Sequence, residues 1–183
     1  MRLILLVSLL LCGGADAVEL RVVEVDRIDG RYFLSSEVFF DADIESVYAV
    51  FLDYDLSIKF SSFIVESRNL EPGENGQRRF YIRNEGCVWF YCKSFERTGD
   101  VEHEPHTFIR STADAEVSDF HASLESWTFE AEGEGTVVEY YFEFEPKFWI
   151  PPLIGPYVLQ KKLKNNSIRA LYRIEALAQG RQP

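Results

Sequence analysis

Two spacings of apolar residues divide the chain. Over residues 20–26 and 31–40 apolar and polar positions alternate, the two-residue period of a strand. Asp29-Gly30 between them predicts the turn that would pair these strands as a hairpin. At Ile44 the period changes. Ile44, Val47, Tyr48, Phe51 and Leu52 fall three, one, three and one apart, which is one face of a helix. Asp43 stands at the N-cap position, where its carboxylate can accept from the free N–H groups of the first turn. Residues 53–62 are less periodic and predict a short helical turn leading to a strand over 63–70.

Pro72-Gly73-Glu74-Asn75-Gly76 is a turn by composition, and after it the pattern stays strand-like. Strands are expected over 77–83, around 87–92, and over 93–102, 107–112, 118–130 and 136–145, the last two joined through Glu132-Gly133-Glu134-Gly135. Pro151-Pro152 then permits a helix start. Leu163, Ala170, Leu171, Ile174, Leu177 and Ala178 share one side of an amphipathic helix of up to about 25 residues. Lys161, Lys164, Arg169, Arg173 and Glu175 fall largely elsewhere, and Asn165-Asn166 weakens its middle. An antiparallel sheet with one wet face must cover the other, and only this last helix is long enough to do so. The predicted fold class is α+β, a curved antiparallel sheet wrapped around a long C-terminal helix. A hollow between the two is where small-molecule sites form.

The N-terminus changes the expected compartment. Arg2, an apolar run over 3–11 broken by Ser8, and Ala15-Asp16-Ala17 follow the order of a cleaved signal peptide over 1–17. The run is too short to cross a hydrocarbon core of ~30 Å, and Leu11 before Cys12 argues against lipid modification of that cysteine. The expectation is a secreted protein, in the periplasm of a bacterium, with one ligand-binding domain over 18–183. A net charge of −11 excludes nucleic acid as a partner, because phosphate contacts are made by Lys and Arg.

The strand-to-helix string Phe40-Asp41-Ala42-Asp43-Ile44-Glu45-Ser46-Val47-Tyr48-Ala49-Val50-Phe51-Leu52-Asp53-Tyr54 resembles the START-like, helix-grip (SRPBCC) superfamily. It is most similar to the polyketide cyclase/dehydrase and coenzyme Q-binding branch. Ser118-Asp119-Phe120, Trp127-Thr128-Phe129-Glu130 and Glu145-Pro146-Lys147-Phe148-Trp149-Ile150-Pro151-Pro152 resemble that branch too, in the same order. The resemblance implies an apolar cavity for lipids, sterols, quinones or polyketides. It carries no universal catalytic signature and implies no cofactor. The functional expectation is binding or transport of a hydrophobic small molecule without chemistry. A cyclase or dehydratase of a polyketide-like substrate is the second reading, and an interaction module with a filled core the third.

Strand parity places His121, Ser123, Glu125, Trp127 and Phe129 on one face and Phe120, Ala122 and Leu124 on the other. With the Trp127 face inward, Trp127, Phe129, Phe142 and Phe144 are the expected apolar wall, and His121 and Glu125 the contacts to a ligand's polar end. His121 and Ser123 would lie ~6.6–7 Å apart along a strand, too far for a nucleophile and its base. Metal binding is not expected. His103 and His106 flank Pro105 in a polar loop without a third ligand, and Asp53-Tyr54-Asp55 lacks the remaining positions of a calcium loop.

Cys87 and Cys92 bridge only if the chain reverses between them, since five residues of straight strand span ~16–17 Å and a disulfide needs Cα atoms within ~7 Å. Two hairpins fit, one turning at Asn84-Glu85-Gly86 and one at Trp89-Phe90. The second sets Gln77 opposite Glu102 and Cys87 opposite Cys92; two reduced cysteines in a core strand are the alternative. It also makes residues 88–91 an apolar tip, which either touches a membrane transiently or folds over the cavity mouth. Phe148 and Trp149 begin a second apolar stretch, held extended by prolines, that could gate the cavity or pack the helix onto the sheet.

Overall fold

A computed structural model describes residues 18–88, 91–150 and 155–183. The chain forms β1 (Glu19–Ile28), β2 (Arg31–Phe40), α1 (Ile44–Leu52), a single 3-10 turn (Ser57–Lys59) and β3 (Ile64–Leu70). β4 (Arg78–Val88), β5 (Tyr91–Glu104), β6 (Phe108–Ala113), β7 (Phe120–Glu132), β8 (Gly135–Pro146) and α2 (Gly155–Ala178) follow. The strands make one antiparallel eight-stranded sheet in the order β1-β2-β8-β7-β6-β5-β4-β3. The α1 crossover carries the chain from the β2 side to the far edge, and a meander returns it until β8 pairs with β2. This is the helix-grip α+β architecture.

Local chemistry fixes the boundaries. Asp29 and Gly30 both take positive φ, 50° and 90°, as a two-residue hairpin turn with the right twist requires. Asp43 caps α1, accepting from the Ser46 N–H at 2.9 Å and the Ser46 hydroxyl at 2.8 Å. Removing such a cap costs about 1 kcal/mol. α2 stops at Gly180, whose φ of 69° lets its N–H reach the Leu177 carbonyl while the Arg181 N–H reaches that of Ala176. That pair of bonds satisfies the last free carbonyls of the helix.

The inner face of the sheet divides into two packed regions. Beneath α1, Val47 and Phe51 join Phe40, Phe80, Phe129 and Val138. At the other end Tyr32, Phe120 and Phe144 pack with Phe95, Phe142 and Phe148. The far end of α2 is anchored to the loop after β2. Buried Glu175 accepts from the Asp41 N–H at 3.2 Å, and Gln179 Nε2 donates to the Asp41 carbonyl at 2.6 Å. The outer face of the sheet carries ion pairs, among them Arg21 with Glu132 at 2.5 Å and Arg31 with Glu143 and Glu145 at 3.4 and 3.2 Å.

The β4–β5 hairpin takes the symmetric register. Arg78 stands opposite Val101, Cys87 opposite Cys92, and the two cysteines form a disulfide with Cα atoms 3.9 Å apart. The chain therefore does not turn at Asn84-Glu85-Gly86, which lies inside β4. Gly86 is there for a steric reason: a Cβ at this position would meet the Phe63 ring at 2.5 Å. Trp89 and Phe90, the expected tip, lie outside the described residues, as does the expected leader 1–17.

Candidate functional site

A cavity of about 260 Å³ lies between the concave face of the sheet and α2. Its walls follow from strand parity. Alternate residues of β2 (Leu34, Ser36, Val38, Phe40) and of β8 (Val138, Tyr140, Phe142, Phe144) face it. Trp127 closes one side from β7, and Phe51, Phe60 and Phe63 come from the α1 crossover. Ala170, Leu171 and Ile174 of α2 form the lid, with Lys162, Asn166 and Ser167 nearer its first half. Lys162 also donates to the carbonyl of Cys87, tying α2 to the disulfide end of the β4–β5 hairpin.

One polar cluster interrupts these walls. Arg97 of β5 and Glu125 of β7 are both buried, and Arg97 Nη2 donates to Glu125 Oε2 at 2.7 Å. The other carboxylate oxygen accepts from the Tyr140 hydroxyl at 2.6 Å. Arg97 Nη1 reaches Ser123 Oγ at 3.4 Å, and the guanidinium sits 4.8 Å from the centre of the Phe142 ring. Burial alone would lower the Arg97 pKa, but the charge and hydrogen bond of Glu125 outweigh it and raise it above the ordinary value. Burial and the neighbouring Glu125 charge push the Tyr140 phenol well above its ordinary range. The cluster is thus a charge-neutral ion pair with a phenol that keeps its proton.

The residues anticipated from sequence separate into three groups. Glu125, Trp127, Phe142 and Phe144 meet at the cavity. Phe129 is buried but does not line it; its ring packs edge-on against Tyr48 and Phe51 at 5.3 and 5.7 Å and carries α1. His121 is exposed. The parity expectation fails there because β7 opens with a bulge: Phe120 pairs with Pro146 but Ala122 already pairs with Glu145. The additional residue turns His121 out and Phe120 in, since a bulge breaks the two-residue period. Phe148 turns inward and stacks on Phe95 at 5.3 Å, whereas Trp149 is 67% exposed. Sequence reasoning missed Arg97 and Tyr140. Arg97 shares strand parity with Phe95 and Val101, and Tyr140 with Phe142 and Phe144, so the signal was present in the alternation.

The cavity, its lid and its polar centre together occupy the span that a family comparison picks out. The model for polyketide cyclase/dehydrase and lipid transport proteins matches residues 34–179. The chain belongs to that family. Beyond this membership in the polyketide cyclase/dehydrase and lipid transport family, the fold is shared with solved structures of low identity. A STAR-related lipid transfer protein from Xanthomonas axonopodis is 15% identical, with a TM-score of 0.66 over 90% of this chain and 99% of that one. The Zhui aromatase/cyclase from Streptomyces sp. R1128 is also 15% identical, with a TM-score of 0.62 over 81% and 94%. Human STARD10 is 12% identical, with a TM-score of 0.56 over 84% and 72%. At these identities the likeness is one of fold. No curated protein sequence matches the chain.

Proposed function

We propose that this protein binds and carries a small apolar molecule bearing one uncharged polar group, and does not convert it. The observation that carries the reading is the buried Arg97–Glu125–Tyr140 cluster inside a mostly apolar cavity. At this cluster a ligand carboxylate or phosphate would have to displace Glu125 from Arg97 or leave two anions sharing one cation. A hydroxyl or keto oxygen can take a remaining guanidinium N–H without separating the pair. Affinity would come from apolar burial at roughly 25 cal/mol per Å2. The 260 Å3 volume lies just below the ~300–1,000 Å3 of ordinary ligand clefts. That favours a ring system or single short chain over a two-chain phospholipid.

The cyclase reading is weaker on the same geometry. Acid-base catalysis near neutral pH wants a group that titrates there. All three histidines, His103, His106 and His121, are exposed. The Tyr140 phenol, pushed well above its ordinary range, is a poor donor. The likeness to an aromatase/cyclase is a likeness of fold, and fold does not select chemistry.

The protein would work outside the cytoplasm, a reading supported by the signal-like leader and by the paired Cys87 and Cys92, because disulfides persist in oxidising compartments. Thiol labelling of protein purified without reductant should find neither cysteine reactive; labelling of both would remove this support.

The cavity is tested by solvent extraction and mass spectrometry of natively purified protein, together with uptake of a fluorescent quinone and a fluorescent fatty alcohol. Co-purifying apolar molecules and saturable uptake are expected. Ala170→Phe, which fills the cavity from α2, should weaken uptake about tenfold or more through steric exclusion with the fold retained by circular dichroism. No extractable ligand and no uptake of either probe would overturn the carrier reading.

A further inference from the structure

The solvent face of α2 is the reverse of the rest of the chain in charge. α2 holds five basic residues and one acidic residue, the buried Glu175, in a protein of net charge −11. Tyr157, Lys161, Lys164, Ile168 and Tyr172 recur at spacings of four, three, four and four, one continuous stripe of a helix. The stripe points away from the cavity, which is lined from α2 by Lys162, Asn166, Ser167, Ala170, Leu171 and Ile174. Tyr157 is 69% exposed and Tyr172 54%, and Lys161 and Lys164 are exposed between them.

Arginines on the sheet meet carboxylates in turn, as Arg83 meets Glu66 at 3.2 Å and Arg110 meets Glu102 at 3.7 Å. Among the described residues Lys161, Lys164 and Arg173 form no ion pair. A chain with 30 carboxylates therefore sets none of those among the described residues in an ion pair with these cations, which stand beside two amphipathic aromatic rings. Tyrosine settles at the boundary between headgroups and acyl chains, and lysines on such a face are drawn to anionic lipid. Among the described residues no helix is long and apolar enough to cross a membrane, so α2 can lie only along a surface.

We infer that the outer face of α2 docks on an anionic lipid bilayer, with Lys161 and Lys164 at the headgroups and Tyr157 and Tyr172 at the interface. The opposite face of the same helix is the cavity lid, so docking would set the cavity one helix away from the bilayer as the source of its ligand. That purpose rests on the carrier reading; the docking itself does not.

Flotation of the full protein with phosphatidylglycerol/phosphatidylcholine vesicles tests it. Wild type should float with these vesicles, lose binding in high salt as surface charges are screened, and stay free of pure phosphatidylcholine vesicles. Lys161→Glu/Lys164→Glu should cut the bound fraction about tenfold or more, and Tyr157→Ser/Tyr172→Ser should weaken binding at low salt. Both variants should keep the wild-type melting temperature and uptake of the fluorescent fatty alcohol in solution. Failure of wild type to float, equal binding to neutral vesicles, or unchanged binding of the lysine variant would each overturn the docking surface. Vesicle binding without probe uptake would overturn the carrier reading and leave the docking surface standing.

Discussion

Glu125→Ala is expected to lower the unfolding free energy by about 3–5 kcal/mol, the usual cost of leaving one member of a buried ion pair alone. Arg97 and Glu125 are only 6% and 9% exposed, so water offers the stranded guanidinium little compensation. The Tyr140 hydroxyl would lose its acceptor in the same step, a further penalty of about 1–3 kcal/mol where no water replaces it. Removing all three polar groups together should behave differently. Arg97→Met/Glu125→Leu/Tyr140→Phe leaves no unpaired charge and should unfold within about 2 kcal/mol of wild type or above it. Urea denaturation of the single and triple variants measures both. If Glu125→Ala costs under about 1 kcal/mol, the pair is hydrated and cannot select for an uncharged ligand group. The triple variant should still take up a wholly apolar probe, and should no longer prefer an alcohol over the matching hydrocarbon.

Gly99→Ala is the second large loss. An alanine Cβ in β5 would stand 2.0 Å from the Thr112 carbonyl oxygen and 2.7 Å from the Ala113 Cα. Both are backbone atoms of β6, so no side chain can rotate away, and relief requires parting the β5–β6 ladder that Gly99 and Ala113 share. The penalty should reach or exceed the ~1–3 kcal/mol of ordinary overpacking, a fall in melting temperature on the order of 10 °C for a domain of this size. Gly73→Ala is the matched control, because its Cβ would meet Arg79 Cδ at an ordinary 3.6 Å. Equal melting temperatures for the two variants would show that the β5–β6 approach is looser than described.

The difference between these residues and the ones read from sequence is instructive. The hairpin at Asp29-Gly30, the Asp43 cap, the meander and the closing helix were all legible, since each depends on residues close in the chain. The β4–β5 register was legible only as one of two: the symmetric hairpin that sets Cys87 against Cys92 is the one found, and the turn at Asn84-Glu85-Gly86, with its better turn residues, is not. His121 was misplaced because a bulge leaves no mark in the alternation of polar and apolar residues. Phe129 was assigned to the right face and the wrong neighbour, since parity says which side a ring takes but not whether a helix covers it. Arg97 was overlooked because a lone arginine among Phe95, Glu96 and Thr98 reads as surface until Glu125, on a strand two places away, is known to face it.

The sheet order has a consequence for how the molecule comes into being. β2 lies between β1 and β8, with Tyr32 opposite Phe144 and Phe40 opposite Thr136, so the inner strand of the first hairpin waits for the last strand to be synthesised. A two-stranded hairpin is marginal in water by itself, and pairings between distant parts of a chain make folding slow. The sheet thus stays open until β8 has been made. The closing of β8 onto β2 is the event that turns two separate runs of strands into one sheet.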